Sequence, residues 1–215
     1  MNKKFVMSFS GGKDSMLALH RMIKSGNTPI ALLTTVKKNK DESWTHGINS
    51  HFLSKVSESL GIELITVECE ANEYEKEFEK KLLEAKKNGA SICVYGDIDI
   101  EHHKQWGIDR CNAVSMEARF PLWQENREDL VHEFIDNGYK ATIKKVNLNN
   151  LGEKFLGQVL TKDLIQEIKS TGSDACGENG EYHTFVTDGP LFRQPIDFIK
   201  EKITLDENYG HLHII

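Results

Sequence analysis

The stretch Ser10-Gly11-Gly12-Lys13-Asp14-Ser15 groups the residue types that hold a phosphate chain. Its two glycines let the backbone turn tightly and bring N–H groups close to an anion. The serine hydroxyls donate hydrogen bonds, and Lys13 adds a full positive charge. A carboxylate repels phosphate, so Asp14 is predicted to reach a bound Mg²⁺ that bridges the phosphates. We therefore predict a nucleotide-phosphate site over these residues, with Lys13 and Asp14 catalytic and Asp14 the metal ligand.

A second polar cluster lies between glycines at residues 176–184. Its carboxylates, amide and imidazole could hold a cation, polarise a carbonyl or move protons. The alternative is a polar hairpin turn that only joins two strands. The phosphate loop in the same chain favours the functional interpretation. Glu178, Glu181 and His183 are thus predicted to be catalytic, and Asn179 to bind substrate.

Other candidate residues follow predicted strands or stand alone. His46 comes after strand two and Asp97 after strand four, where a parallel sheet presents its carboxyl ends to a ligand. We predict that His46 contacts the nucleotide and Asp97 the substrate, with a surface-loop histidine as the alternative for His46. Cys176 is interpreted as incidental. His102 and His103 would point about 100° apart on a helix, which disfavours a shared metal.

The first half of the chain alternates short β-branched runs with helical patterns, as a parallel sheet with crossover helices does. Strands are predicted within residues 5–9, 29–36, 62–67 and 91–95, and the last helix of this half within 100–114. The phosphate loop then joins the first strand to the first helix, whose N-terminal N–H groups and dipole favour an anion.

The regular alternation of strand and helix patterns ends near residue 120. A short helix around Leu130 and a strand at 141–146 follow, and the tail from Tyr182 alternates like strands joined by turns at 188–190. We predict an α/β fold: a parallel Rossmann-like sheet followed by a smaller α+β domain. The predicted division is 1–118 for nucleotide binding and 119–215 for the acceptor substrate.

Composition narrows the class of protein. The chain has 215 residues and a formal net charge of −6. A negative net charge disfavours nonspecific electrostatic binding of nucleic acid. Its four cysteines form no CxxC pair, which indicates a reduced compartment. The N-terminal apolar run is short for a secretory signal, and no run has membrane-spanning length. We expect a cytoplasmic protein, and a homodimer is one possible oligomeric state.

The SGGKDS loop differs from the P-loop and from GxGxxG, and it resembles the PP-loop of the N-type ATP pyrophosphatases. Within that group, which has the adenine nucleotide α-hydrolase-like fold, the chain is similar to the diphthine–ammonia ligase family. The similarity runs through residues 96–98, 120–123 and above all 177–184. It implies that ATP is split between its α- and β-phosphates. A carboxylate would be adenylated and then attacked by ammonia, which releases AMP and pyrophosphate.

The resemblance implies ATP and Mg²⁺ as cofactors, and ammonium and a carboxylate acceptor as partners. In the family that acceptor is diphthine on elongation factor 2. A composition rich in Lys, Asn and Ile with 4 Pro favours an AT-rich bacterial source, whose acceptor would be another carboxylate. One alternative is a PP-loop tRNA-modifying enzyme, disfavoured by the acidic balance and the unpaired cysteines. Another is a non-catalytic ATP-binding sensor, disfavoured by Lys13, Asp14 and the 177–184 cluster.

Overall fold

A computed structural model describes residues 2–38 and 40–215 of the chain. Five parallel strands form its first sheet, in the order β3-β2-β1-β4-β5. They are β1 Lys4–Ser8, β2 Thr28–Lys37, β3 Glu63–Cys69, β4 Ile92–Val94 and β5 Glu117–Arg119. The chain runs outward from β1 to β3 and then crosses to β4. The loops after β1 and β4 therefore flank a topological switch point, where open α/β sheets bind ligands.

Helices cover both faces of this sheet: α1 Lys13–Lys24, α2 Ser50–Leu60, α3 Tyr74–Lys87 and α4 Glu101–Ala113. Their apolar stripes are buried, and glycine ends α2 in the left-handed conformation (Gly61, φ 67°), as a helix C-terminus favours. The predicted first four strands and the helix within 100–114 are confirmed. Strand β5 is too short for a sequence period and was not predicted.

The second sheet is antiparallel, in the order β7-β6-β9-β8. Its strands are β6 Lys140–Asn147, β7 Tyr182–Asp188, β8 Lys200–Leu205 and β9 Tyr209–Ile214. Two helices accompany it, α5 Arg127–Asp136 and α6 Lys162–Ser170, capped by the side chains of Asn126 and Thr161. Helix α6 was not predicted. The turn predicted at 188–190 does not lead directly into a strand, because residues 189–199 hold none.

The two sheets share a hydrophobic core. Phe5 and Met7 of β1 belong to the same buried cluster as Ile143 of β6 and Val186 of β7. The α/β fold with a smaller second unit is confirmed, whereas the division at residue 118 remains a prediction. Over the ranges that the structure describes, no helix is both long and apolar enough to cross a bilayer.

Candidate active site

A cleft of ≈ 520 Å³ opens at the carboxyl ends of β1, β2 and β4 and reaches the second sheet. It is lined at one end by the phosphate loop and at the other by aromatic residues. Eight of the predicted site residues line it: Ser10, Lys13, Asp14, Ser15, His46, Asp97, Glu178 and His183. The cleft thus joins residues that the chain separates by more than 160 positions, as the contact between Lys13 and Thr184 (171 apart) illustrates.

The phosphate loop turns where its glycines allow it. Gly11 has a φ of 80°, which other residues rarely adopt. Ser10 Oγ accepts a hydrogen bond from Gly12 N at 3.2 Å, and Ser15 Oγ donates to Gly12 O at 2.9 Å. A Cβ on Gly12 would lie 2.3 Å from His46 Cε1, so this position requires the absence of a side chain. The loop is held in shape by its own serines.

Lys13 and Asp14 form an ion pair at the floor of the cleft. Lys13 Nζ lies 2.7 Å from Asp14 Oδ2 and 5.3 Å from the ring centroid of Tyr182. Burial lowers the pKa of Lys13, but its neighbours, Asp14 foremost, raise it, and the net result is a pKa above the ordinary value. The Cys176 thiol donates to Asp14 Oδ1 at 3.5 Å, and burial raises its pKa. Lys13 is therefore a permanent cation, and Cys176 a protonated thiol.

Strand β7 of the second sheet fixes the phosphate loop from behind. Thr184 Oγ1 accepts from Lys13 N at 3.1 Å, and Val186 N donates to Gly11 O at 2.9 Å. His46 Nδ1 donates to the carbonyl of Thr184 at 2.7 Å. Two loop residues and the loop-facing histidine are thus tied to one strand of the other sheet. The loop and β7 form a single structural unit.

Two histidines beside the phosphate loop, His46 and His183, are neutral. The rings of His46 and His183 lie 5.0 Å apart in an edge-to-face arrangement. Burial lowers the pKa of His46 to about 4, and burial together with His46 and Lys145 lowers that of His183 to about 2. A histidine with so low a pKa carries a proton on only one ring nitrogen near neutral pH and is a weak base. These surroundings favour His183 as a hydrogen-bonding group over the proton acceptor predicted from sequence.

Glu178 has the opposite electrostatic setting. Burial, followed by the charge of Asp14, raises its pKa to about 7, and Asp97 adds to the shift. Asp97 lies on the same cleft wall, with its Oδ1 3.5 Å from His103 Nδ1. A carboxyl group with a pKa near neutrality can both accept and release a proton. Glu178 is therefore the acid–base candidate of the 177–184 cluster.

Glu181 and Asn179 do not line the cleft. Glu181 is buried and accepts hydrogen bonds from Asp174 N, Asn179 N and Asn179 Nδ2, at 3.3, 3.0 and 3.1 Å. Asn179 is exposed and turns away toward Arg127. Both residues predicted from sequence as chemical groups instead shape the turn that presents Glu178. Their residue types are the same as those of a functional cluster, so the sequence alone could not separate the two roles.

Arg127, at the start of α5, connects two loops of the site. Its guanidinium binds Asp99 through Nε (2.7 Å) and Nη2 (2.6 Å), and Asp174 through Nη1 (2.7 Å). Asp174 in turn accepts the backbone N–H of Cys176 at 3.1 Å and of Glu178 at 3.0 Å. The loop after β4 and the loop before β7 are thereby held together. Sequence reasoning missed this residue.

The far end of the cleft is aromatic. Tyr74, Tyr95 and Trp106 line it beside Leu33 and Thr35, and Tyr74 Oη lies 3.2 Å from Thr35 Oγ1. None of these three aromatic residues was predicted from the sequence to belong to the site. Their one available signal was position, since Tyr95 directly follows β4. Aromatic and apolar side chains of this kind are typical of sites that bind flat rings.

The residues present fit a magnesium ion whose ligands are mostly substrate phosphates and water, with few from the protein. Among the described residues no group of three or more His, Cys, Asp or Glu side chains forms a metal cage. Mg²⁺ is commonly held by one or two carboxylates, substrate phosphates and water. Asp14, whose carboxylate faces the cleft beside the phosphate loop, is the residue that would hold it.

Comparison with known proteins finds relatives over nearly the whole chain. The family model for the diphthamide synthase N-terminal domain matches residues 3–118, and that for the C-terminal domain matches 126–215. A mouse protein named diphthine–ammonia ligase is 29% identical over 95% of this chain and 83% of its own length. The human protein of that name is 30% identical with the same coverage. A solved structure described as a predicted subunit of tRNA methyltransferase from Methanocaldococcus jannaschii is 15% identical, with a TM-score of 0.47, over 87% of this chain and 98% of its own. The two family models and the curated relatives agree, and the chain belongs to the diphthamide synthase family.

Proposed function

We propose that this protein is an ATP-dependent ligase that adenylates a substrate carboxylate and transfers ammonia to it. One observation carries the proposal: the phosphate loop and Glu178 of the second unit open into the same cleft. Such a site brings a nucleotide and an acid–base group together. Membership of the diphthamide synthase family and relatives named diphthine–ammonia ligase support the same reaction class.

In the proposed complex ATP lies along the cleft with its phosphates at the loop. Lys13 and the hydroxyls of Ser10 and Ser15 bind the β- and γ-phosphates, and the first-turn N–H groups of α1 add their dipole. The adenosine lies against the aromatic end formed by Tyr74 and Trp106. A bound Mg²⁺ held by Asp14 would neutralise phosphate charge. Lys13 acts as a fixed positive charge for the departing pyrophosphate, because it stays protonated.

The acceptor half of the reaction takes place beside Glu178. A carboxylate oxygen attacks the α-phosphorus, and the bond to the β-phosphate oxygen breaks with release of pyrophosphate. Ammonia then attacks the carbonyl carbon, the C–O bond to AMP breaks with its electron pair, and a proton leaves the nitrogen. In this proposal Glu178, which lines the cleft, accepts that proton. His183, which is neutral, orients the carbonyl by donating a hydrogen bond, whereas the single N–H of His46 is committed to the carbonyl of Thr184.

The products of ATP turnover test this proposal. Purified protein is incubated with Mg·ATP, ammonium and yeast elongation factor 2 that carries diphthine, and nucleotides are separated by chromatography. We expect AMP and pyrophosphate in equal amounts and an amide on the acceptor. A cell extract replaces the factor in a second arm, because the carboxylate acceptor of this chain need not be diphthine.

Three outcomes would count against the proposal. ADP as the main product would mean that the loop is not a pyrophosphatase site. ATP binding without AMP formation in either arm would favour a sensor. AMP formation that requires tRNA would favour the tRNA-modifying alternative. Lys13→Ala is the matched variant, and we expect it to lose about 100-fold or more of the AMP formed.

A further inference from the structure

Strand β6 contains a bulge beside the cleft. Ile143 pairs with Thr184 and Lys145 pairs with His183, so two steps along β6 oppose one step along β7. In a regular strand Lys145 would point to the same side as the buried Ile143. The bulge reverses this and places Lys145 on the side of His183. Bulges next to active sites commonly re-aim a side chain in this way.

Lys145 continues a row of side chains that starts at the cleft wall. His183 lines the cleft, and Lys145 is its cross-strand neighbour. On the other side Lys145 pairs with His211 of β9, and its Nζ lies 4.0 Å from the ring centroid of Tyr209. The positive charge of Lys145 is near enough to lower the pKa of both His46 and His183. The ammonium thus stands just outside the cleft on its histidine side.

This ammonium has no counter-ion in the part of the chain that the structure describes. The nearby acids are Glu42 and Asp206, and each has its own partner. Glu42 Oε1 lies 2.9 Å from Lys37 Nζ, and Asp206 Oδ2 lies 3.4 Å from His211 Nε2. Burial, with the charge of Lys37, lowers the pKa of Lys145. The ring of Tyr209 is the contact of this cation, and no carboxylate among the described residues neutralises it, so an anion supplied by a ligand would be stabilised there.

We propose that Lys145 binds the carboxylate of the acceptor and holds it on the His183 side of the cleft. The inference rests on the proposed function, which requires a carboxylate, and adds the residue that recognises it. ATP does not need Lys145, because the phosphate loop has its own buried cation in Lys13. Lys145 lies outside the cleft lining that surrounds the loop. The acceptor would then enter across β6 and β9, between His183 and Tyr209.

Glutarate serves as the carboxylate probe, because it can be tested without knowing the acceptor. Uniformly ¹⁵N-labelled protein is saturated with α,β-methylene-ATP and Mg²⁺ and titrated with glutarate by NMR. We expect saturable shifts of the amides of Lys145, His183 and His211. The glutarate Kd should rise about tenfold in Lys145→Gln and stay within about threefold in Lys145→Arg, as for the loss or retention of one charge-assisted contact.

Lys140→Gln is the matched control, since Lys140 lies on the same strand, is exposed and pairs with Asp188. We expect it to bind glutarate like the wild type. Two results would overturn the proposal: glutarate-induced amide shifts that do not include Lys145, and glutarate-induced shifts that are unchanged in Lys145→Gln. So would a loss of ATP affinity in Lys145→Gln as large as that of Lys13→Ala, because Lys145 would then belong to the nucleotide.

A kinetic arm separates this inference from the proposed function. With diphthine-bearing elongation factor 2, Lys145→Gln should raise the KM for the acceptor about tenfold and leave kcat within about threefold. A kcat loss at unchanged KM would contradict a binding role. If the wild type forms no AMP with any acceptor, the proposed function fails, and the NMR titration still decides whether Lys145 is a carboxylate site.

Discussion

The contact between Gly12 and His46 shows how tightly single residues are fitted in this cleft. His46 lies where a Cβ on Gly12 would be, and its Nδ1–H is committed to the carbonyl of Thr184. The histidine therefore closes one side of the phosphate loop. A similar restriction applies at Gly96, where a Cβ would lie 2.8 Å from Ser15 N. Neither Gly12 nor Gly96 has a positive φ, so backbone conformation does not require glycine there. Glycine is required at both positions by the close approach of neighbouring atoms.

Gly12→Ala should weaken ATP binding by about tenfold or more, because the methyl group must displace the His46 ring or the loop. Gly152→Ala is the control, since Gly152 has a φ of −70° and open space around its Cα. Calorimetry with Mg·ATP measures both. The double variant Gly12→Ala/His46→Ala should recover part of the affinity. Full ATP affinity in Gly12→Ala alone would show that His46 moves freely.

Glu178 should make the stability of the protein fall as the pH rises. Its pKa is about 7 in the folded protein against 4.5 as the ordinary value, so the folded state binds its proton more tightly than the unfolded state. The resulting stability is fully present below about pH 4.5 and is lost as the pH rises through about 7. Glu178→Gln removes this dependence and should exceed the wild type at pH 8 by about 2 kcal/mol.

Thermal unfolding at pH 5 and pH 8, without nucleotide or Mg²⁺, measures this difference. The two proteins should have similar Tm values at pH 5 and diverge at pH 8. Glu201→Gln, on the exposed strand β8, controls for the loss of one negative charge. Parallel curves for wild type and Glu178→Gln would contradict the raised pKa.

At the scale of elements, β7 determines the position of the phosphate loop as much as β1 and α1 do. Thr184→Val keeps the shape of a buried residue but leaves Lys13 N–H without its acceptor. We expect a loss of about 1–3 kcal/mol in the free energy of unfolding, and weaker ATP binding. Urea unfolding and calorimetry give the two values. Thr187→Val, also buried on β7, is the matched control, and an equal effect there would mean that only β-strand packing had changed.

The sequence was informative where a local rule decides the structure. Residues 10–15 could be placed between a strand and a helix because glycine, lysine and hydroxyl groups have few other uses in that arrangement. His46 and Asp97 could be placed at the cleft because parallel strands share one carboxyl edge. These assignments needed only element type and direction.

It was uninformative where partners come from distant segments. Glu178 and Glu181 have the same side-chain chemistry, and only the three-dimensional turn shows that one faces the cleft and the other is bonded inside the loop. Arg127 contacts residues of two other loops. The bulge that redirects Lys145 depends on pairing between β6 and β7. None of these features leaves a periodic trace in the chain.

At the scale of the whole molecule, the shared core predicts that the first unit depends on the second. Residues 1–118 alone would lose the packing of Phe5 and Met7 against the cluster that contains Ile143 and Val186. We expect this fragment to show no cooperative urea transition by circular dichroism, whereas the full chain unfolds in one step. A fragment with a sharp transition would show that the predicted division at residue 118 separates independently folding domains.

The bonds from β7 to the phosphate loop have a consequence for the order of binding. The strand that carries His183 toward the acceptor side also carries Thr184 and Val186, which hold Gly11 and Lys13. Any small shift of β7 on acceptor binding is therefore transmitted to the nucleotide loop. Thermodynamic linkage makes the effect reciprocal: the factor by which ATP tightens the acceptor is the factor by which the acceptor tightens ATP. The affinity of the protein for ATP would then be highest when the carboxylate acceptor is bound.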